Sequence, residues 1–164
     1  MTIRLLSIIL MIRILIILLE DIMSYHKLMM ENHTMFSRKV FERLSDRCLS
    51  VGQPKVLEYL YFNDGAIQKD IAEACMIEPA TVTSLLSRME KGGLIKRKSR
   101  VGDKRYMCVY LTEIGRENSK ISVETLSELE KIALSGFSEE ERKRFVSFLE
   151  RVNSNLKGKG GADI

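Results

Sequence analysis

Eight basic side chains are concentrated in one stretch near the middle of the chain, and only Glu90 and Asp103 oppose them. The basic residues are Arg88, Lys91, Lys96, Arg97, Lys98, Arg100, Lys104 and Arg105. The stretch therefore carries a net charge of +6, whereas the whole chain of 164 residues carries +4, so the remainder is net −2. Such a distribution is typical of polyanion binding, because each neutralised phosphate releases condensed counterions.

The other reactive side chains do not form a recognisable site. The sequence has no nucleophile–base pair, phosphate loop or metal-ligand cluster, so we expect no catalytic residue, cofactor or metal. His26 and His33 lack a third ligand and favour solvent or dimer contacts over a metal site. Cys48, Cys75 and Cys108 are odd in number and lack a CxxC pair, which fits the reducing cytoplasm.

The apolar periodicity predicts the elements that position the basic stretch. They are a first helix ending near Cys48, a second opened by Gln53-Pro54, two short helices over Gln68–Cys75 and Pro79–Lys91, and strands over Leu94–Ser99 and Tyr106–Thr112. Residues 100–105 supply the turn between the strands. Two short helices followed by a basic hairpin indicate a winged helix-turn-helix, so the predicted fold is mainly α with a small β-hairpin wing.

The second short helix, Pro79–Lys91, has an apolar face at i, i+3, i+4 and i+7. That face consists of Val82, Leu85, Leu86 and Met89. The residues turned outward are Ala80, Thr81, Thr83, Ser84, Ser87 and Arg88. Small hydroxyl residues near a helix N-terminus fit the major groove of double-stranded DNA, whereas Arg88 is better placed for a phosphate.

The hairpin tip brings Arg100, Lys104 and Arg105 to the flank of this site. An arginine there suits the negative potential of a narrow minor groove. We hypothesise that Asp103 pairs with an arginine and fixes the direction of its guanidinium.

After the hairpin the chain returns to helix from Thr112 to near Gly136. Ser138 and Glu141 have the spacing of a capping box. A last helix then carries an apolar stripe of Phe145, Phe148, Leu149, Val152 and Leu156.

Residues 1–22 are unusual, because Ile3–Leu19 is almost wholly apolar. Arg13 near the middle would cost ~2.5–3.5 kcal/mol on membrane insertion, and Arg4 faces the opposite side of a helix. We interpret residues 1–22 as an over-extended reading of a gene that starts at Met23, and we therefore expect no membrane location. The alternatives are a genuine membrane anchor or an added dimer-packing helix.

Several short motifs together resemble the MarR (multiple antibiotic resistance regulator) family over roughly Tyr25 to Leu156. They are Ile71-Ala72-Glu73, Pro79-Ala80-Thr81-Val82-Thr83, Arg88-Met89-Glu90, Gly93-Leu94-Ile95, Asp103-Lys104-Arg105 and Leu111-Thr112-Glu113-Ile114-Gly115. The resemblance implies a bacterial transcription regulator, usually a repressor, that binds a palindromic operator as a homodimer. It also implies that Asp103 and Arg105 are the wing pair, with Arg105 in the minor groove, and that Thr81, Thr83 and Ser84 lie on the reading face.

The resemblance divides the chain into five parts. They are an extension (1–22), an N-terminal dimerisation helix (23–50), the winged helix-turn-helix (51–112), C-terminal dimerisation helices (113–156) and a flexible tail (157–164). Glu78 departs from the family, in which a serine cap is common at this position.

The resemblance further implies a small phenolic or other organic effector. Its pocket would be lined by Met29, Met30, Met35, Phe36 and Tyr59, although core packing explains the same residues equally well. The alternative function is a winged-helix protein-interaction module, which would be membrane-tethered if residues 1–22 were an anchor.

Overall fold

The computed structural model describes residues 11–13, 24–100 and 103–158, with the backbone alone for residue 100 and residues 103–106. It contains two compact units, residues 1–125 and 126–164. The main elements are α1 (Tyr25–Arg43), α2 (Gln53–Phe62), β1 (Ala66–Ile67), α3 (Gln68–Ala74), α4 (Pro79–Lys91), β2 (Ile95–Arg100), β3 (Asp103–Leu111), α5 (Glu113–Ala133) and α6 (Glu139–Lys157). The fold is mainly helical with one small sheet, as the sequence predicts.

The core of the first unit is formed by α2, α3, α4 and the adjoining strands. Its buried members include Val56, Leu57, Leu60, Ile71, Ala72, Val82, Leu85, Leu86, Met89, Leu94, Ile95, Val109 and Leu111. Burying a side chain of this size contributes about 1.5–3 kcal/mol. Helices α2 and α3 and the adjoining strands therefore hold α4 in place.

The three strands are antiparallel, in the order β1-β3-β2. The sequence analysis missed β1, in which Ala66 pairs with Val109, because two residues are too few to show alternation. The predicted turn over residues 100–105 was too long. Arg100 pairs with Asp103 across the hairpin, after a shift in register at Ser99, so both strands continue into the segment assigned to the turn.

The junction between the hairpin and α5 is held by Thr112. Its Oγ1 donates to Gly93 O at 2.6 Å and accepts from Gly115 N at 3.0 Å. Gly115 lies so close to β2 that a Cβ there would be 1.8 Å from Leu94 O. The Leu-Thr-x-x-Gly motif is therefore required by close backbone approach and not by flexibility.

Asp64 ties the turn after α2 to the same junction. Its Oδ1 accepts from Leu111 N at 2.7 Å, and its Oδ2 accepts from the guanidinium of Arg116 at 2.7 Å. The end of β3 and the start of α5 are thereby bound to one carboxylate.

The second unit contains the predicted capping box at the start of α6. Ser138 Oγ accepts from Glu141 N at 3.3 Å, and the Glu141 carboxylate accepts from Ser138 N at 2.8 Å. The carboxylate also accepts from Ser138 Oγ at 2.8 Å, and the bonds from Ser138 N and Ser138 Oγ lower the pKa of Glu141. The apolar stripe of α6 is exposed, with Phe145, Phe148 and Leu156 at 40%, 55% and 73% of full exposure.

The prediction for the N-terminal extension falls on residues that the structure describes only at positions 11–13. Among all described residues, no helix is both long enough and apolar enough to cross a membrane. The predicted tail is described only as far as residue 158, where α6 has just ended.

Candidate nucleic-acid interface

Helix α4 presents a polar face on the side opposite its buried one. Pro79 occupies the first turn, where its missing N–H removes no helical bond. The buried residues Val82, Leu85, Leu86 and Met89 leave Ser87 partly exposed. The exposed residues of this polar face are Ala80, Thr81, Thr83, Ser84 and Arg88. The structure therefore brings all six residues proposed from the sequence onto one helix.

The hydroxyls on this face differ in what they can offer a ligand. Thr83 Oγ1 donates to Pro79 O at 2.9 Å, and Ser84 Oγ donates to Thr81 O at 2.9 Å. Each hydroxyl has one hydrogen, so these two residues can only accept from a base. Within the described residues, the hydroxyls of Thr81 and Ser87 have no partner and remain able to donate.

Gln68, which the sequence analysis did not single out, belongs to the same surface. It is the first residue of α3, and its Nε2 donates to Thr83 Oγ1 at 2.7 Å. The two residues are 15 positions apart, so no periodicity within either helix indicates the contact.

Glu90 joins α4 to the hairpin. Its Oε1 accepts from Arg97 N at 3.0 Å, and its Oε2 accepts from Arg97 Nε at 2.9 Å and from the terminal guanidinium nitrogen at 2.6 Å. The side-chain bonds from Arg97 hold the pKa of Glu90 below its ordinary value. Arg97 is thus committed to the protein itself, so the sequence analysis overcounted the cations available to a polyanion.

The cations of the basic stretch whose side chains are described as exposed lie in the last turn of α4 and on β2. They are Arg88, Lys91, Lys96 and Lys98. For Arg100, Asp103, Lys104 and Arg105 the strand backbone is described, but the predicted pairing of Asp103 with Arg105 lies outside the described side chains.

Glu78 precedes α4 as its N-cap residue. Its side chain makes no capping bond, and the residue is exposed. Glu78 therefore does not replace the serine cap that is common in the family, and its acidic group is exposed.

The residues proposed for an effector pocket are divided between α1 and α2. Met29 and Met35 are exposed on α1, whereas Tyr59 packs against the core of the first unit. A shallow cavity of about 300 Å³ is lined by Met30, Glu31, Thr34 and Met35.

The histidines and cysteines show no reactive arrangement. His26 and His33 are exposed, and the described residues contain no group of three or more potential metal ligands. Cys48 is exposed, whereas Cys75 and Cys108 are buried. Burial raises the pKa of the Cys75 thiol, which lowers its reactivity.

A winged helix-turn-helix is thus defined by α3, α4 and the basic antiparallel hairpin. Of the two helices, α4 is the one that presents a polar face and is anchored in the core. The MarR family model matches residues 49–107, which cover this unit as far as β3. An uncharacterised HTH-type transcriptional regulator of Bacillus subtilis strain 168, YdgJ, is 30% identical over 113 residues, covering 68% of this chain and 69% of the relative. The chain belongs to the MarR family.

Two further comparisons extend this similarity. The HTH-type transcriptional regulator PecS of Dickeya dadantii is 38% identical over 86 residues, covering 52% of each chain. The crystal structure of Staphylococcus aureus MepR in complex with DNA is similar at a TM-score of 0.74 and 28% identity, covering 80% of this chain and 98% of that one.

Proposed function

We propose that this chain binds double-stranded DNA as a homodimer in the cytoplasm and regulates transcription. In this proposal α4 enters the major groove and the β2–β3 hairpin lies along the flanking minor groove. The observation that carries it is the exposed polar face of α4, which lies opposite a buried apolar face and is accompanied by exposed cations in the last turn of α4 and on β2. The similarity to MepR, solved with DNA, supports the same reading.

The charges around α4 indicate how the helix would meet DNA. Arg88, in the last turn, is exposed and suits a phosphate, whereas Glu78 at the N-cap would repel one. We therefore place the N-terminal turns of α4 against base edges and its C-terminal end near the backbone.

Exposed apolar side chains on α1 and α6 support the homodimer. They are Tyr25, Leu28, Met29 and Met30 on α1, and Phe145, Val146, Phe148 and Leu156 on α6. Each helix by itself thus exposes apolar side chains of the kind that mark interaction sites. A two-fold dimer would present two α4 helices, which requires a palindromic target.

Repression, and its relief by a small phenolic or other organic ligand, are the finer parts of the proposal. They are supported by family resemblance. We assign no residue to the ligand site.

The experiment that tests the proposal is a mobility shift on the DNA upstream of the protein's own gene, at two salt concentrations. We expect specific binding whose affinity falls as salt rises. Because the proposed dimer contains two copies of Arg88, Arg88→Ala should weaken binding and reduce the slope of log affinity against log salt by about 1.8 if each copy contacts one phosphate. Lys143→Ala on α6 removes the same charge outside the winged helix and should leave the slope unchanged.

The absence of any shift at low salt would refute DNA binding and favour the protein-interaction module. If the slope of log affinity against log salt is the same for Arg88→Ala and Lys143→Ala, Arg88 does not contact a phosphate.

A further inference from the structure

The Thr83 hydroxyl is occupied on two sides, although its side chain lies on the exposed face of α4. It donates to Pro79 O, one turn earlier in the same helix, and accepts from Gln68 Nε2 of α3. A hydroxyl has one hydrogen and two lone pairs, so Thr83 has no hydrogen left to donate to a base. What remains for a ligand is its γ-methyl group and one lone pair.

The direction of that methyl group depends on where the hydroxyl is held. Threonine in a helix populates two χ1 rotamers, because its hydroxyl can reach back to the carbonyl three or four residues earlier. The bond from Gln68 adds a second, external anchor at 2.7 Å. Fixing Oγ1 in this way also fixes the methyl group on the same Cβ.

The side chains next to Thr83 limit the hydrogen-bond chemistry of this surface. Ser84 has its hydrogen committed to Thr81 O, so it cannot donate to the acceptor edge of guanine. Ala80, three residues before Thr83 and thus on the same helix face, is exposed and adds a second methyl group. The surface at Ala80 and Thr83 therefore suits an apolar contact better than a donated hydrogen bond, whereas Ser87, one turn further along, is still able to donate.

We infer that Gln68 is a positioning residue: by holding the Thr83 hydroxyl against α4, it aims the Thr83 methyl group at the C5-methyl group of a thymine in the major groove. Thymine is the base that carries a methyl group there, and a threonine methyl group reads it by apolar contact. The inference rests on the proposed function, since it requires α4 to enter the groove.

The test begins with a duplex that the full-length wild-type protein enriches from a random pool. Each thymidine of both half-sites is then replaced in turn by deoxyuridine, which lacks only the C5-methyl group, and dissociation constants are measured by fluorescence anisotropy at one salt concentration. For wild type we expect one position per half-site at which the replacement weakens binding about fourfold, equivalent to ~0.8 kcal/mol for one buried methyl-sized group.

Two variants separate the methyl group from its anchor. Thr83→Ser keeps the hydroxyl and its two partners but lacks the methyl group, so the uridine-to-thymidine ratio of dissociation constants should fall to one. Gln68→Ala keeps the methyl group but releases it, so the ratio should fall part of the way. The double variant should match Thr83→Ser, because without the methyl group there is nothing left to position.

The uridine-to-thymidine ratio also distinguishes a positioning role for Gln68 from a purely structural role or a phosphate contact. Either of these would change both dissociation constants equally and leave their ratio unchanged. Lys69→Ala, next to Gln68 and exposed, is the matched control and should keep the wild-type ratio. Thermal unfolding checks that the variants remain folded.

Each unfavourable result has a distinct meaning. If Thr83→Ser keeps the wild-type ratio, or if no thymidine is sensitive, the thymine contact is refuted while DNA binding stands. An unchanged ratio in Gln68→Ala refutes the positioning role. Failure of wild type to enrich any sequence refutes the proposed function itself.

Discussion

Replacing Gly115 by alanine should destabilise the protein, although helix propensity alone predicts the opposite. Gly115 lies in the first turn of α5, and alanine is favoured over glycine within helices by about 1 kcal/mol. The added Cβ, however, would stand 1.8 Å from Leu94 O and 3.3 Å from a Leu111 methyl group. A backbone oxygen cannot rotate away, so the start of α5 would have to move by more than an ångström.

Overpacking of this severity costs about 3 kcal/mol, at the upper end of the usual range. For a chain of this size 1 kcal/mol corresponds to roughly 2–4 °C, so we expect the midpoint of thermal unfolding to fall by about 6–12 °C. The assay is circular dichroism, with urea titration at the same protein concentration, because dimerisation would otherwise alter the apparent stability.

The matched control is Gly93→Ala. Gly93 has a φ of +72° but no atom within 4 Å of an added Cβ, so its cost is limited to about 1–2 kcal/mol for the left-handed conformation. If Gly115→Ala is as stable as wild type, or loses no more than Gly93→Ala, the argument from close approach is wrong.

Three further predictions concern the hairpin and the cap of α6. Glu90→Ala should weaken operator binding several-fold even though it removes a negative charge, because Arg97 loses the carboxylate that holds β2 to α4; tighter binding in the anisotropy assay would contradict this. Arg105→Ala should weaken operator binding by ~1–3 kcal/mol and leave the dimer intact by analytical ultracentrifugation, whereas unchanged affinity would exclude it from the interface. Ser138→Ala should cost about 1 kcal/mol in urea unfolding near neutral pH. The pKa of Glu141 is lowered in the folded state, so the stability that its carboxylate contributes is present above the ordinary glutamate pKa and is lost as pH falls through the lowered value. If the difference in free energy of unfolding between wild type and Ser138→Ala does not shrink in acid, this prediction is refuted.

Helix α4 could be predicted from the sequence at both ends. Pro79 marks the first turn, the glycines after Lys91 mark the end, and four apolar residues at helical spacing define the buried face. These signals are local, so they survive without knowledge of the rest of the fold. The capping box of α6 was predictable for the same reason.

The contacts between elements could not be predicted in this way. Gln68 meets Thr83, and Asp64 meets Arg116, only because the core brings α3 against α4 and the turn after α2 against the start of α5. The short strand β1 is defined by its partner strand and not by its own two residues. The net charge of the basic stretch was correct, but which cations are available depended on the bond between Glu90 and Arg97.

The ion pair between Glu90 and Arg97 has a consequence for the spacing between the major-groove and minor-groove contacts within one DNA half-site. The Glu90 carboxylate on α4 accepts three hydrogen bonds from Arg97 of the hairpin. We therefore expect α4 and the hairpin, which would contact neighbouring grooves, to keep a fixed distance from each other. One base pair inserted within a half-site, between the major-groove and minor-groove contacts, would then disrupt one of them completely. In the proposed dimer, the distance between half-sites would be set by the pairing of the two chains, and it could change in evolution without altering the spacing within a half-site.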